Sequence, residues 1–270
     1  MIKNKTLGMN AEERKAYYLS LLYLILPIIS TSLLILLWST AANNSEFPSP
    51  NETWERLILL FQEPIKGLNI FGHVWASLIR VFSALIFNWT FGIAFGILIG
   101  WNVKCDALFT PLFDAFRAIP PLAWIPLITI WFGTGEFSKI LIVIFGSLAS
   151  IVVNTQAGMS NIDQLYLNVG TVFNANERQK LFQIAIPSAL DAIFAGIRTS
   201  TSAAWMVVLA AEMLGANSGV GFLITRGMDS MDMPLVLASM VAIGIVGASL
   251  SIVTQFAERL LCPWTIKRSN

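Results

Sequence analysis

Six long apolar stretches constrain this chain more than any other feature it has. A membrane-spanning helix needs about twenty mainly apolar residues, because each residue rises ~1.5 Å and the hydrocarbon core is ~30 Å thick. Residues 18–42, 74–101, 107–132, 140–158, 192–215 and 235–261 meet that requirement. No water is available there to pair backbone groups, so each must be a helix. The expected fold is all-α: a polytopic membrane protein with an N-terminal segment 1–17, one transmembrane domain 18–261 and a tail 262–270. Composition agrees, since 56% of residues are hydrophobic and only 12% charged, where soluble domains carry about 25% charge. The 17 basic and 16 acidic residues nearly cancel, so no nucleic-acid partner is expected. Cys105 and Cys262 each lack a second ligand residue nearby, which argues against a disulfide framework or a metal site.

Charge sets the orientation. Lys3, Lys5, Arg14 and Lys15 precede a first apolar run that is too long for a signal peptide and leads into Asn43-Asn44-Ser45-Glu46, so it reads as a retained anchor. With the N-terminus in the cytosol, six spans return the C-terminus there. The inner segments then collect those four residues with Lys104, Arg178, Lys180, Arg259, Lys267 and Arg268, against Arg56, Lys66, Lys139 and Arg226 outside. The positive-inside rule supports this arrangement. Trp38, Trp75, Trp101, Trp131 and Trp264 fall near the predicted span ends, where indoles favour the interface.

The outer segment, about 43–72, contains the chain-breaking Pro48-Ser49-Pro50, a candidate cap in Asn51, and Trp54, Leu57, Ile58 and Phe61 at helical spacing. That pattern predicts a short amphipathic helix, serving as a surface brace or docking an external partner. The third span is irregular. Pro120, Pro121 and Pro126 lie within eight residues, and each removes a backbone donor and clashes with the preceding turn. The helix must break or kink there, as a structural feature or as part of a transport site. Ionisable residues inside spans are costly unless paired or facing a cavity. Arg80 and Glu212 are expected to face the bundle interior. Asp114 and Arg117, three apart, share one helical face and can pair, and Arg198 can snorkel. Ser200-Thr201-Ser202-Ala203-Ala204, Gly244 and Gly247-Ala248-Ser249 permit close helix approach, for packing or a pore wall.

No catalytic constellation is visible. The single histidine, His73, has no carboxylate or nucleophile at useful spacing and reads as an interface residue. No Gly-Lys-Ser/Thr phosphate loop occurs, so this chain should not itself bind ATP.

Residues 158–191 form a polar island between the fourth and fifth spans. Ile162, Leu165, Tyr166, Val169, Val172 and Phe173 follow helical periodicity. Asn176 can cap a second short helix with Gln179 completing a capping box and Glu177 in its first turn. Pro187 is expected to end that helix by pushing Ile186 out of helical geometry. A short capped helix on the cytosolic face can enter a groove on a partner.

Two motifs carry a family resemblance. Asn168-Val169-Gly170, then Asn174, then Ile184-Ala185-Ile186-Pro187 keeps the spacing of the coupling loop of ABC importer permeases, Glu-Ala-Ala, three residues, Gly, nine residues, Ile-x-Leu-Pro. The head departs from that pattern at Asn168, Val169, Gly170 and Asn174. Phe116-Arg117-Ala118-Ile119-Pro120-Pro121-Leu122-Ala123-Trp124-Ile125-Pro126-Leu127, Trp131 to Ile140, Ala210-Ala211-Glu212 and Gly219-Val220-Gly221-Phe222 are similar to the taurine, sulfonate and nitrate branch.

The resemblance implies a type I ABC importer-like subunit with six transmembrane helices and a short cytosolic coupling helix, resident in the bacterial inner membrane. It implies a second copy of the chain, two ATP-binding subunits that hold ATP and Mg, and a periplasmic or lipid-anchored solute-binding protein. This chain would bind no cofactor and perform no covalent chemistry. ATPase-coupling residues would be Asn168, Val169, Gly170, Asn174, Asn176, Glu177, Arg178, Phe182, Ile184, Ile186 and Pro187. The second to fifth spans would line the path, with Pro120, Pro121 and Trp124 at a gate, Glu212 beside it, and Arg80 or Arg117 contacting a small anion. Two readings compete. An intramembrane enzyme or assembly factor would need a polar catalytic set within the spans, and a channel or secondary carrier would need no ATPase.

Overall fold

The computed structural model describes residues 11–42 and 47–261. Lys3, Lys5, Asn43 to Glu46, Cys262, Trp264, Lys267 and Arg268, and the side chains of Arg14 and Lys15, lie outside the described residues. Apart from an isolated bridge between Ile65 and Leu68, the described secondary structure is helical, as expected from the apolar runs.

Two compact units divide at Arg56/Leu57. The first contains α1 (Ala11–Ala42), whose stretch Ile25–Ala42 is long and apolar enough to cross a membrane. The next helix, α2 (Pro50–Gln62), starts one residue before the expected cap. Ser49 caps it instead of Asn51: its Oγ accepts from Glu52 N at 3.3 Å, and Glu52 Oε2 accepts from Ser49 N at 2.8 Å. Proline at the first helical position needs no partner for a missing N–H, so the cap falls one residue upstream.

The second unit holds the remaining spans. The second one runs Ile70–Trp101 and consists of α3 (Ile70–Phe87), a π-helical turn (Asn88–Gly92) and α4 (Ile93–Trp101). Gly92, Gly96 and Gly100 recur every four residues and place bare backbone against α7 (Glu136–Ser160). A Cβ on them would come within 2.5 to 2.6 Å of Ile151, Thr155 and Met159 respectively. Small residues at this spacing let two helices approach closely where hydrocarbon offers no competing hydrophobic drive.

The third span breaks as the prolines predict. Its halves, α5 (Val103–Ala118) and, after a 3₁₀ turn (Pro121–Trp124), α6 (Ile125–Phe132), are bent by 86°. Among the described residues, five helices are long and apolar enough to cross, and six if this pair counts as one span.

Then follow α8 (Gln164–Val172), the one-turn α9 (Glu177–Gln179), α10 (Ile186–Met213), α11 (Val220–Asp229) and α12 (Met233–Leu261). Pro187 does not end a helix. A π-helical turn at Lys180–Ala185 joins α9 to α10, and Ile186 keeps helical angles of φ −60° and ψ −47°. One continuous segment therefore runs Glu177–Met213. A proline clashes with the carbonyl four residues back, and the wider π turn moves that carbonyl aside. The polar island is correspondingly shorter than expected, because α7 extends to Ser160 and the fifth span begins inside the island.

Candidate functional site

Polar chemistry collects at the two ends of the second unit. At the end where α3 and α7 begin and α10 finishes, Arg80 anchors a buried cluster. It sits ten residues into α3, about 15 Å along the helix, and is only 2% exposed. Its Nε and Nη2 form a fork on Glu136 at 2.6 and 2.8 Å. Nη1 donates to Glu212 Oε1 at 2.7 Å and to the Ser218 carbonyl at 2.9 Å, and Nη2 also donates to Ser218 Oγ at 2.8 Å. A guanidinium has five N–H donors, and all five are occupied.

Glu212, 0% exposed, is satisfied in turn. Its Oε2 accepts from Ser77 Oγ at 2.9 Å and from Gly221 N at 2.9 Å. Ser77 Oγ accepts from Val220 N at 3.0 Å, and Lys139 Nζ donates to Glu136 at 2.8 Å. Gly219 has φ +113°, and a Cβ there would overlap the Glu212 carboxylate. Only glycine admits the acid so close to the backbone, which accounts for Gly219 at the cap of α11. His73 completes the cluster and is buried: Nδ1 accepts from Gly219 N at 3.2 Å and Nε2 lies 3.1 Å from the Ile65 carbonyl. An accepting Nδ1 leaves the proton on Nε2, so the ring is neutral in this arrangement.

Sequence reasoning singled out Arg80 and Glu212 and missed Glu136 and Lys139 as their partners. The signal was present in their i, i+3 spacing. Arg117 pairs with Asp114 at 2.7 Å, with both side chains about half exposed. Arg198 is ion-paired with Glu258.

At the break, Trp124 lies 5.5 Å from Phe116 and 5.4 Å from Phe145 between ring centroids, while Pro120 is exposed and Pro121 half-buried. Along α10, Ser200, Thr201 and Ala204 are buried, whereas Thr199, Ser202 and Met206 are exposed. Asn154 Nδ2 donates to Thr199 Oγ1 at 3.4 Å and to the Ser150 carbonyl at 2.7 Å. The small-residue run thus serves packing on one side and a polar exposed strip on the other.

The opposite end carries the loop. Asp163 caps α8 by accepting from Leu165 N at 2.9 Å. Asn174, with φ +55°, closes that helix: Ala175 N donates to the Gly170 carbonyl at 2.9 Å and Asn174 N to the Thr171 carbonyl at 3.0 Å. This is a helix stop that wants a left-handed residue, a conformation asparagine tolerates almost as well as the glycine it replaces. Gly170 is buried against Ile184, whose Cδ1 would lie 2.6 Å from an added Cβ. Asn176 and Gln179 form the expected capping box, with both hydrogen bonds at 2.8 Å, and Glu177 pairs with Lys180 at 3.0 Å. Arg178, Asn168 and Pro187 are exposed, and Ile186 is half-buried.

The apolar face of α8 points away from the bundle. Leu165, Tyr166, Val169, Val172 and Phe173 are exposed, Phe173 by 81%, and Phe182 beside them by 66%. A cavity of about 430 Å³ separates the loop from the bundle, lined by Trp101, Asp106, Ser160, Gln164, Leu167 and Glu177 among others.

A helical bundle with this loop and this broken span matches known transporters. Residues 92–267 match the family described as the binding-protein-dependent transport system inner membrane component. The chain belongs to this family of permeases. The permease is 29% identical over 245 residues to the taurine transport system permease protein TauC of Escherichia coli (strain K12), covering 88% of this chain and 89% of that one. It is 32% identical over 262 residues to the nitrate import permease protein NrtB of a Synechocystis strain, covering 93% and 94%. In structure it is similar to an inward-facing MetNI methionine ABC transporter, with a TM-score of 0.62, 19% identity and coverage of 70% and 94%; that likeness supports the type I importer fold. It is a multi-pass inner-membrane protein. Among the described residues no group of His, Cys, Asp or Glu is arranged to hold a metal ion.

Proposed function

We propose that the permease is the membrane-crossing subunit of an ATP-driven importer for a small oxyanion, with taurine-type sulfonates and nitrate as the first candidates. The observation that carries the reading is the exposed apolar face of α8 on a rigidly capped elbow. Five large apolar side chains held in register on a polar loop need a cover, and a groove on a cytosolic ATP-binding subunit supplies one. Membership of the family and the names of the taurine and nitrate relatives support the solute class. In this reading both termini are cytosolic, the Arg80 cluster lies toward the outside, where a solute-binding protein delivers, and a second copy of the chain completes the path. ATP and Mg reside on the partner subunits.

Arg80 has no N–H left for a solute, whereas Arg117 bonds Asp114 through Nε alone and stays a candidate anion contact. Asn154, Thr199 and Ser202 place neutral polar groups along α7 and α10, beside the break that supplies the gate; their donors rest on Ser150, Thr199, Ala195 and Arg198 and would have to rotate to meet a solute.

The test is reconstitution in proteoliposomes with the ATP-binding subunit and the solute-binding protein. Uptake of a sulfonate or nitrate should require ATP. Phe173→Glu with Val169→Glu should abolish co-purification of the ATP-binding subunit, because two buried unpaired carboxylates each carry a desolvation cost of a few kcal/mol. Unchanged co-purification, or uptake without ATP, overturns the reading.

A further inference from the structure

Arg80 has every donor occupied, and Arg198 of α10 does not. Both oxygens of Glu258 accept from its Nη2 alone, its Nε is buried without a partner, and among the described residues none takes Nη1. The side chain is nevertheless 40% exposed. A guanidinium ordinarily meets a carboxylate through two parallel N–H groups on one edge, so this pair leaves Nε and the N–H groups of Nη1 open. The depth of the residue is also informative. Thr199, its neighbour in the chain, accepts from Asn154 at 3.4 Å, and Asn154 precedes the end of α7 at Ser160 by about 9 Å. Arg198 therefore stands at the loop end of the exposed strip that continues through Thr199, Ser202 and Met206.

On α12, Ser251, Thr254 and Glu258 recur at helical spacing and are half-buried. Farther from the loop the same two helices close tightly: a Cβ on Gly247 would come within 2.9 Å of Trp205 Nε1, which donates to the Ile243 carbonyl at 3.3 Å. The seam is thus sealed by an indole above and polar below. A snorkelling arginine keeps its head in water, whereas this one is tied sideways to α12. A partly open guanidinium with a carboxylate competing for it binds an anion weakly, and passage needs binding weak enough to leave. We propose that Arg198 is the last solute contact on the inner side of the path, an inference that rests on the importer reading above. The oxyanion takes the open N–H groups as Glu258 swings aside, and the returning carboxylate expels it. A lipid phosphate would offer Arg198 the same chemistry, and the experiment separates the two sources.

The experiment uses proteoliposomes holding the full chain with its ATP-binding subunit, ATP in the lumen and saturating solute-binding protein outside. Arg198→Gln with Glu258→Gln removes both charges together, which a merely structural pair tolerates. That variant should co-purify with the ATP-binding subunit as before, while initial uptake of nitrate or a sulfonate falls about tenfold or more through loss of a charge-assisted contact. Glu258→Gln alone keeps the guanidinium and removes its competitor. The same anion placed in the lumen should then inhibit uptake at about a fifth of the concentration the unaltered permease needs. Unchanged uptake in the double variant overturns the proposal, as does equal lumenal inhibition in Glu258→Gln. Native mass spectrometry supplies the lipid arm: a phospholipid retained by the unaltered permease and lost from Arg198→Gln would assign Arg198 to a headgroup and overturn it too. Absence of ATP-dependent uptake by the unaltered permease would instead bring down the importer reading, and the proposal with it.

Discussion

The Arg80 guanidinium shows what one residue does when burial leaves no alternative to pairing. Two carboxylates, a serine hydroxyl and a carbonyl take all five N–H groups, and each carboxylate has further partners. Arg80→Ala would strand Glu212 in a site that excludes water, so it should cost about 3–5 kcal/mol. Arg80→Ala with Glu212→Ala should recover much of that loss, because Glu136 keeps Lys139. Chemical unfolding in detergent measures both, and a double variant no more stable than Arg80→Ala would refute the account. The sequence showed that Arg80 and Glu212 needed partners, because a charge at span depth is unaffordable alone. It did not show which partners, since Glu136, Ser77 and Gly221 are far apart in the chain. Asn174 was legible in a different way. Its place at the family's glycine looked like a departure, yet the observed φ of +55° is one that asparagine adopts readily.

Among the elements, the elbow around Pro187 separates local rules from tertiary context. A proline in a helix interior ordinarily costs ~3 kcal/mol, which is why a helix end was expected there. The π turn at Lys180–Ala185 absorbs the ring instead. Pro187→Ala should therefore stabilise the permease by less than about 1 kcal/mol rather than by the ~3 kcal/mol of an uncompensated site. Chemical unfolding in detergent would read the difference, and the larger gain would show that the turn does not relieve the proline. The capping box at Asn176 follows from neighbouring residues and was readable in the chain, the one at Ser49 was passed over for Asn51, and π turns depend on packing against other helices. The 86° bend of the third span was legible as a break because three prolines enforce one. Its angle was not, since the packing of Trp124 onto Phe116 and Phe145 sets it.

At the scale of the whole second unit, a single 37-residue segment, Glu177–Met213, reaches about 55 Å from the loop to the buried cluster. In the proposed coupling, a displacement at Glu177 would reach Glu212 along this one helical segment. The number of spans could be read from hydropathy alone, but this continuity could not, because the polar residues of the island hid the first turns of the rod. The cluster at its far end has a last consequence. Arg80 and Lys139 balance Glu136 and Glu212, so the four charges sum to zero and project almost no field beyond a Debye length of ~10 Å at 0.1 M salt. An approaching anion is neither drawn in nor repelled by them. The cluster should then add no ionic-strength dependence of its own, and any salt dependence of initial uptake from about 0.05 to 0.3 M inert salt should come from Lys66 beside it and flatten in Lys66→Ala. A steep dependence that persists in that variant would place another unbalanced charge in the entrance.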